Sequence, residues 1–500
     1  MSHQPTVPRE QQDEVVPLFA MDLFKFAQAF TVTLKIVVNG TMDINVLTSS
    51  LDLLVSRGHW RKVGARIRRT EKGSLEWHIP RRYNKERPAC LLTSDIYDTP
   101  SSAGLHIPTA TPIVPSIQRD LGPDHLFIHS KTPMTMADYL DPAHDRPCLS
   151  IHVTAFRDNS VTCIGITLPH IFGDGAGIAQ VLHAWFALIR DPEAAIPALS
   201  GFDKDPFAPI EAAYDFSGES LYTPTTEAAN EDAVYSLRLQ EEFEKYPRET
   251  RTVYVPPRMA KQMHYDALLE LKRRKAAGED VPDYLSEQGV ITAWWIKTVF
   301  GSDTDDSTPL ITFVGSSLRK TLTGLFPRNT VYPHNATLSF ASEPIPLRSV
   351  KDLSVADIAI ASRKAMLRET SDLSTLERAV ALKLWNNRVS SVPLSVAAHA
   401  TWHFTTTMKD AQGFDMDFSR AIIAKARGEI GDGHPGSVRA VSGTFTLNSP
   451  FPARSMLAMV GKDKEGGYWL QPTLRREDRM RLTVERLAET AVSKTSRAKL

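Results

Sequence analysis

Apolar residues recur along the chain at two periods, and the period tells strand from helix. Alternate positions from Val32 to Val38 are aliphatic, which predicts a strand. Ile44 to Arg57 places Leu47, Leu51 and Leu54 on one helical face, with Asp43 in position to cap it. Trp77-His78-Ile79, shortly after Gly73-Ser74, reads as a strand following a turn. Two β-rich runs, Cys148 to Phe156 and Val161 to Leu168, are joined through Asp158-Asn159 and predict a hairpin. Helical spacing then resumes from Ile178 to Ile189.

The residues up to about Glu14 are polar and expected to be disordered. Asp191 to about Tyr246 is rich in Pro, Asp and Glu with weak periodicity, as expected of a long surface crossover. Beyond it, Met259 to Lys275, Ile291 to Phe300 and at least two segments within Val355 to Arg388 read as helices. Leu310 to Val314, Ala397 to Thr407, Thr444 to Asn448 and Ser455 to Val460 read as strands, and Arg475 to Thr490 closes as a helix. Strands and helices mixed in both halves predict an α/β (mixed α+β) architecture of two similar-sized domains with a cleft between them. The expected division is 15–195, a crossover at 196–250, 251–490 and a flexible tail at 491–500. No internal repeat is visible.

Composition narrows the function classes. With 500 residues, two or more hydrophobic cores are expected. Basic and acidic residues balance at 58 each, so nothing steers the chain toward nucleic acid or an anionic membrane. No window approaches the roughly 18 apolar residues of a membrane span. Cys90, Cys148 and Cys163 show no metal-site spacing and fit a reducing compartment. The final residues Ala498-Lys499-Leu500 have the small–basic–Leu form of a peroxisomal address. The peroxisome, reached through its import receptor, is therefore the expected location; the alternative is a cytoplasmic protein with a basic tail.

The candidate chemistry lies in Thr167-Leu-Pro-His-Ile-Phe-Gly-Asp-Gly-Ala-Gly177. A strand ends at Pro169, glycines follow, and a helix begins, so His170 sits at a strand mouth where an imidazole can face a cleft. A neutral imidazole there can take the proton of an alcohol or amine as that group attacks a thioester carbonyl, without a covalent enzyme intermediate. His170 and Asp174 have no third metal ligand nearby, and no metal is expected. The glycines miss the dinucleotide fingerprint, because Ile178 stands at its last position.

His170-Ile-Phe-Gly-Asp-Gly175 at a strand-to-helix junction resembles the HxxxDG motif of the BAHD acyltransferases, the CoA-dependent enzymes of specialised metabolism. Leu18-Phe-Ala-Met-Asp22 is similar to that family's opening element. Leu47 to Arg69, Val290-Ile-Thr-Ala-Trp-Trp295, Ser317-Leu-Arg319 and Tyr332-Pro-His-Asn-Ala336 resemble further family stretches, together spanning residues 17 to 490. Of the second family signature only Asp417-Phe418 is present; Ser419-Arg420-Ala421 stands where the family has Gly-Trp-Gly, as in its fungal secondary-metabolism branch.

The resemblance implies a chloramphenicol-acetyltransferase-like fold with a tunnel between two domains, acting as a monomer. It implies acyl-CoA, acetyl-CoA by default, as co-substrate with no tightly bound cofactor, and a small hydroxylated acceptor. His170 is then the general base, and Asp174 turns away from the cleft to pair with Arg319. Lys272-Arg273-Arg274-Lys275 and Ser286 stand where the family contacts CoA, the alternative for the basic cluster being a solvated helix end. Trp402 and Asn335 would line the tunnel, although a core tryptophan is an equal reading. Asp417 is expected to be structural. With Arg420 at the family's tryptophan position, the resemblance names no oxyanion donor. Two other readings remain: a condensation-type transferase using a carrier-protein thioester, against which Pro169 stands where such domains carry a second histidine, and a non-catalytic metabolite-binding protein.

Overall fold

The computed structural model describes residues 13–216, 240–242, 244–303, 306–389, 400–424, 433–447 and 453–491. The β-rich runs of the first half pair as their alternation demands. Val161–Pro169, buried along its whole length, lies antiparallel between Phe30–Asn39 and Leu149–Phe156. Asn159 takes the left-handed conformation at the tip of this hairpin (φ 56°), which asparagine tolerates better than most side chains. Among the described residues the sheet has five strands, ordered Val438–Leu447, Phe30–Asn39, Val161–Pro169, Leu149–Phe156 and Cys90–Tyr97.

One face of this sheet presents Leu34, Ile36, Ile164 and Ile166 to two helices. Helix Ile44–Ser56 contributes Leu47, Leu51 and Leu54; helix Gly175–Arg190 contributes Val181, Leu182 and Trp185. Each such side chain withdrawn from water stabilises the fold by about 1.5–3 kcal/mol. The two helices are also tied by a hydrogen bond from Trp185 Nε1 to Ser50 Oγ at 2.9 Å. Asp43 caps the first helix by accepting from the Asn45 N–H at 2.8 Å.

The second sheet runs Thr337–Ala341, Pro309–Ser317, Thr401–Thr407, Ala453–Lys462, Tyr468–Arg475, Thr252–Val255 and Ser116–Gln118, with Arg248–Thr250 and Ile345–Pro346 pairing beside this path. Helices Pro257–Ala276, Glu287–Phe300 and Val355–Glu369 cover one face. Glu287–Phe300 is apolar almost all round because it is enclosed: Trp294 and Trp295 are both fully buried. Trp294 Nε1 donates to the Leu487 carbonyl at 3.1 Å, docking the closing helix Val484–Ala491.

Several expectations change. The sheets do not respect the division into 15–195 and 251–490, since Val438–Leu447 completes the first sheet and Ser116–Gln118 edges the second. The stretch expected to be disordered to Glu14 includes strand Asp13–Pro17, paired with Leu75–Pro80 and anchored by Arg87, whose guanidinium binds the Asp13 carboxylate. Residues 1–12 lie outside the described residues. The 196–250 crossover is more than a surface loop: Ala198–Leu199 pairs with Thr330–Val331, and Phe202, Phe207, Ile210 and Phe216 are buried. Within it, 217–239 and 243 lie outside the described residues, as do 492–500 of the tail, including Ala498-Lys499-Leu500. The closing segment is two helices, Arg476–Met480 and Val484–Ala491, not one.

Candidate active site

His170 follows the last residue of the central strand. Its N–H donates to the Phe30 carbonyl at 3.1 Å, continuing the strand register by one residue. Its carbonyl accepts from Asn335 Nδ2 at 3.1 Å, and its ring lies 4.3 Å from that of Phe30. The backbone is therefore fixed from both sides while the imidazole faces a cavity of about 440 Å³. Nδ1 is buried and meets no other residue's polar atom at hydrogen-bond distance. Burial pushes the His170 pKa down to about 4, aided by the charge of Lys383 and opposed by Asp174. The imidazole is thus neutral near pH 7 and able to accept a proton.

Asp174 is turned into the protein. Its Oδ1 lies 3.0 Å from Arg319 Nη1 and accepts from the Gly177 N–H at 2.8 Å, capping helix Gly175–Arg190. Its Oδ2 accepts from the Ala336 N–H and from Thr337 Oγ1, both at 2.7 Å. Burial opposes ionisation, but Arg319 and these donors outweigh it and hold the carboxyl below its usual range. Arg319 also donates through Nε to the Tyr332 carbonyl at 2.9 Å and through Nη2 to the His334 carbonyl. One guanidinium therefore straps segment 332–334 to the loop after His170.

The glycines serve this strap. A Cβ on Gly173 would lie 2.1 Å from the Pro333 carbonyl oxygen, and one on Gly177 would lie 2.2 Å from it. It is backbone that approaches here. The imidazole of His334 completes the contact, Nδ1 meeting the Phe172 carbonyl at 2.9 Å.

A second layer lies behind the strap. The Asp22 carboxylate, fully buried, accepts from the Asn335 N–H at 3.0 Å and from Asn335 Nδ2 at 2.9 Å. Burial raises the Asp22 pKa, against the pull of Asn335 and of Lys62. Lys62, lowered in pKa by burial, donates to the Gly201 and Phe202 carbonyls at 2.8 and 2.7 Å. Asn335, expected as a tunnel residue, does reach the cavity wall, but its amide is spent on Asp22 and His170.

Other expected site residues fall elsewhere. Trp402 does not line the cavity; it packs in a small core with Ile311 and Phe313, because strand Thr401–Thr407 reaches the cavity only from Phe404 onward. Lys272, Arg273 and Lys275 also lie outside the cavity wall, on helix Pro257–Ala276. Arg273 pairs with Glu270 at 2.7 Å and Lys275 pairs with Asp283, both at the solvent-exposed surface. Of the expected CoA contacts only Ser286 is in the wall, where its hydroxyl caps helix Glu287–Phe300. Asp417 closes a local turn by accepting from the Ser419 N–H at 2.9 Å, and Arg420 is exposed. A second cavity of about 570 Å³, lined by Lys35, Asp120 and Gln471, shares Phe445 and Met456 with the first.

Comparison with known proteins places this geometry. No protein-family model matches the chain. It is 27% identical over 499 residues to "Acetyltransferase adrJ" of Penicillium roqueforti, covering 94% of each chain. It is also 27% identical over 491 residues to "Transcriptional regulator calD" of Penicillium decumbens, again covering 94% of each. Among solved structures it is similar to TRI101 of F. sporotrichioides in complex with coenzyme A and T-2, with a TM-score of 0.60 at 14% identity over 95% of this chain and 97% of that one. The fold is that of the BAHD-type acyltransferases. Vinorine synthase gives a TM-score of 0.56 at 13% identity, covering 97% of this chain and 95% of its own. The first condensation domain of the CDA synthetase gives 0.52 at 14%, covering 96% and 97%.

In this BAHD-type fold the cavity is walled by both sheets, Phe30, His170 and Phe445 from the first and Val314, Thr405 and Met456 from the second. Lys383, on helix Leu373–Val389, also lines it and went unread in the sequence. The available signal was a lone charge inside the apolar run Ala379-Val-Ala-Leu-Lys-Leu-Trp385.

Proposed function

We propose that the protein transfers an acyl group, acetyl by default, from acyl-CoA to a hydroxyl of a small secondary metabolite, with His170 as general base. The observation that carries this reading is a neutral imidazole facing a cavity while the neighbouring carboxylate, Asp174, is committed to Arg319. A carboxylate hydrogen-bonded to the ring would favour its protonated form; an ion pair behind the loop fixes direction without that effect. In the reaction the acceptor oxygen attacks the thioester carbonyl as His170 takes its proton. Collapse then expels the CoA thiolate, which recovers that proton. Asp174 and Arg319 act as positioning residues.

The likeness to adrJ, named an acetyltransferase, and to TRI101 with bound coenzyme A supports this chemistry. The name borne by calD finds no counterpart in the balance of 58 basic and 58 acidic residues. Incubation with radiolabelled acetyl-CoA and a panel of hydroxylated terpenoids and alkaloids tests the reading. Transfer by wild type and none by His170→Ala is the expected result; equal transfer by both overturns the mechanism. The condensation reading has the weaker fold likeness in its favour, and transfer from an acylated carrier protein but not from free acetyl-CoA would establish it.

The enzyme is proposed to work in the peroxisome, on the strength of Ala498-Lys499-Leu500. A thioester-consuming enzyme there would meet the acyl-CoA released by fatty-acid breakdown. An N-terminally tagged full-length protein should collect in peroxisomes and lose that location when the last three residues are deleted. A diffuse cytosolic pattern for the intact chain would refute the address and leave the chemistry untouched.

A further inference from the structure

Acyl transfer creates a negative charge on the carbonyl oxygen, and the scheme above supplies a base but no group to receive that charge. Arg420 is exposed, and Trp402 belongs to a separate core. Among the described residues four cationic side chains line the cavity: Lys320, Arg363, Lys383 and Lys409. Lys320 and Lys409 are exposed at its rim, and Lys320 lies 3.8 Å from Asp410. Arg363, on helix Val355–Glu369, places Nη1 3.6 Å from Met366 Sδ and, among the described residues, makes no hydrogen bond to the loop after His170.

Lys383 differs from these. Its Nζ donates to the Thr337 carbonyl at 3.0 Å, and the hydroxyl of the same Thr337 donates to Asp174 Oδ2 at 2.7 Å. The ammonium is thus tethered to the network that holds the loop after His170. Its aliphatic stem runs in the apolar part of helix Leu373–Val389, and the charge lies 5.0 Å from the Phe24 ring, which also lines the cavity. Among the described residues no carboxylate pairs with it; Asp174, which acts on it electrostatically, is taken by Arg319. Burial lowers its pKa to about 8, which leaves it mostly protonated near neutrality. Lys383 and His170 line the same cavity, and the ammonium's charge helps to lower the imidazole pKa.

We propose that Lys383 is a catalytic residue of this protein, the cation that stabilises the oxyanion formed when the acceptor adds to the acyl carbonyl; the inference rests on the acyltransfer reading above. As the acceptor oxygen bonds to the carbonyl carbon, its proton passes to His170 and the carbonyl π pair moves onto oxygen, beside the ammonium. Re-formation of the carbonyl then breaks the carbon–sulfur bond. The thiolate takes the proton back from the imidazolium, giving ester and free CoA thiol. Lys383 gives up no proton and needs no co-reactant. A cation held in place before the reaction stabilises such a charge without the reorganisation that water would need.

The test uses the full chain, acetyl-CoA and the best acceptor found in the panel above, with Lys383→Met, Lys383→Gln and Lys383→Arg compared. Lys383→Gln keeps a donor for Thr337 and removes the charge, so it also serves if the methionine variant does not fold. Both neutral variants should lose kcat by about a hundredfold. Their KM values for acetyl-CoA and acceptor should move by less than about threefold, as for an interaction made only in the transition state. Lys383→Arg should recover part of the rate, and calorimetry should show unchanged CoA binding in every folded variant. Unchanged kcat in the neutral variants overturns the proposal, as does a loss confined to the acceptor KM, which would mark an anion-binding role. If wild type itself transfers nothing to any acceptor, the acyltransfer reading fails and this proposal falls with it.

Discussion

Asp174 and Arg319 meet at 3.0 Å with both side chains buried, although 145 residues separate them in the chain. Asp174→Asn keeps a capping oxygen but leaves a buried guanidinium without its counter-charge, a loss of about 3 kcal/mol for a pair of this kind. Urea unfolding at pH 7 should show that loss. The Asp174 pKa is depressed in the fold, so its contribution is present above the unfolded carboxylate value and is lost as pH falls through the folded one. The gap between wild type and variant should therefore begin to narrow below about pH 4 and close only once the pH is below the depressed folded-state value. A gap that persists there would mean that the charge is not what stabilises the pair.

The pH dependence of catalysis follows from His170. With its pKa lowered to about 4 by burial, the base stays neutral across the physiological range. When chemistry limits the rate, kcat/KM should be flat between about pH 6 and 7, fall on the acid side of about pH 5 as His170 gains its proton, and fall above about pH 8 as Lys383 loses its charge. An inflection near about 6.5, the free-histidine value on which a reading of the sequence alone would settle, would show that the ring is more hydrated in solution.

Gly173→Ala puts a methyl 2.1 Å from the Pro333 carbonyl oxygen, and backbone must move to admit it. The expected cost is about 1–3 kcal/mol, as for overpacking elsewhere in close-packed interiors. Activity should fall further than the melting temperature suggests, because the displaced segment carries Asn335, which holds the His170 carbonyl. Alanine at Gly324, which has open space around it and no positive φ, is the natural control.

Phe445 and Met456 stand between the two cavities. Phe445→Ala should join them and admit longer acceptors, read as a shift in relative kcat/KM across a panel graded by length. An unchanged ranking would show that the second cavity takes no part in acceptor choice.

The periodic signals were enough for most elements. Val32 to Val38, the 148–168 hairpin and the helices after Asp43 and after Gly175 needed only local alternation and a cap, so they are legible. Local period does not say which sheet a strand joins, and Val438–Leu447 pairs with residues roughly 400 positions earlier. The site shows the same divide. His170 and Asp174 stand out through spacing, whereas Arg319 was singled out only by resemblance. Trp402 on a central strand is equally apolar whether it faces tunnel or core. Charges at a helix end read alike whether they await a phosphate or already hold Glu270 and Asp283. Asp22 and Lys62 are buried polar groups far apart in the chain, and nothing local marks them as neighbours of the loop.

The exchange of strands between the two sheets also bears on how the chain can be made. Phe30–Asn39 emerges from the ribosome roughly 400 residues before its partner Val438–Leu447. Until then the first sheet has a ten-residue strand with one side open, a template for pairing with another nascent chain. Closing it demands a contact of very long sequence separation, which folds slowly. Synthesis halted before residue 438 therefore leaves the cavity beside His170 without the wall that Phe445 supplies, and the strand edge open to other chains.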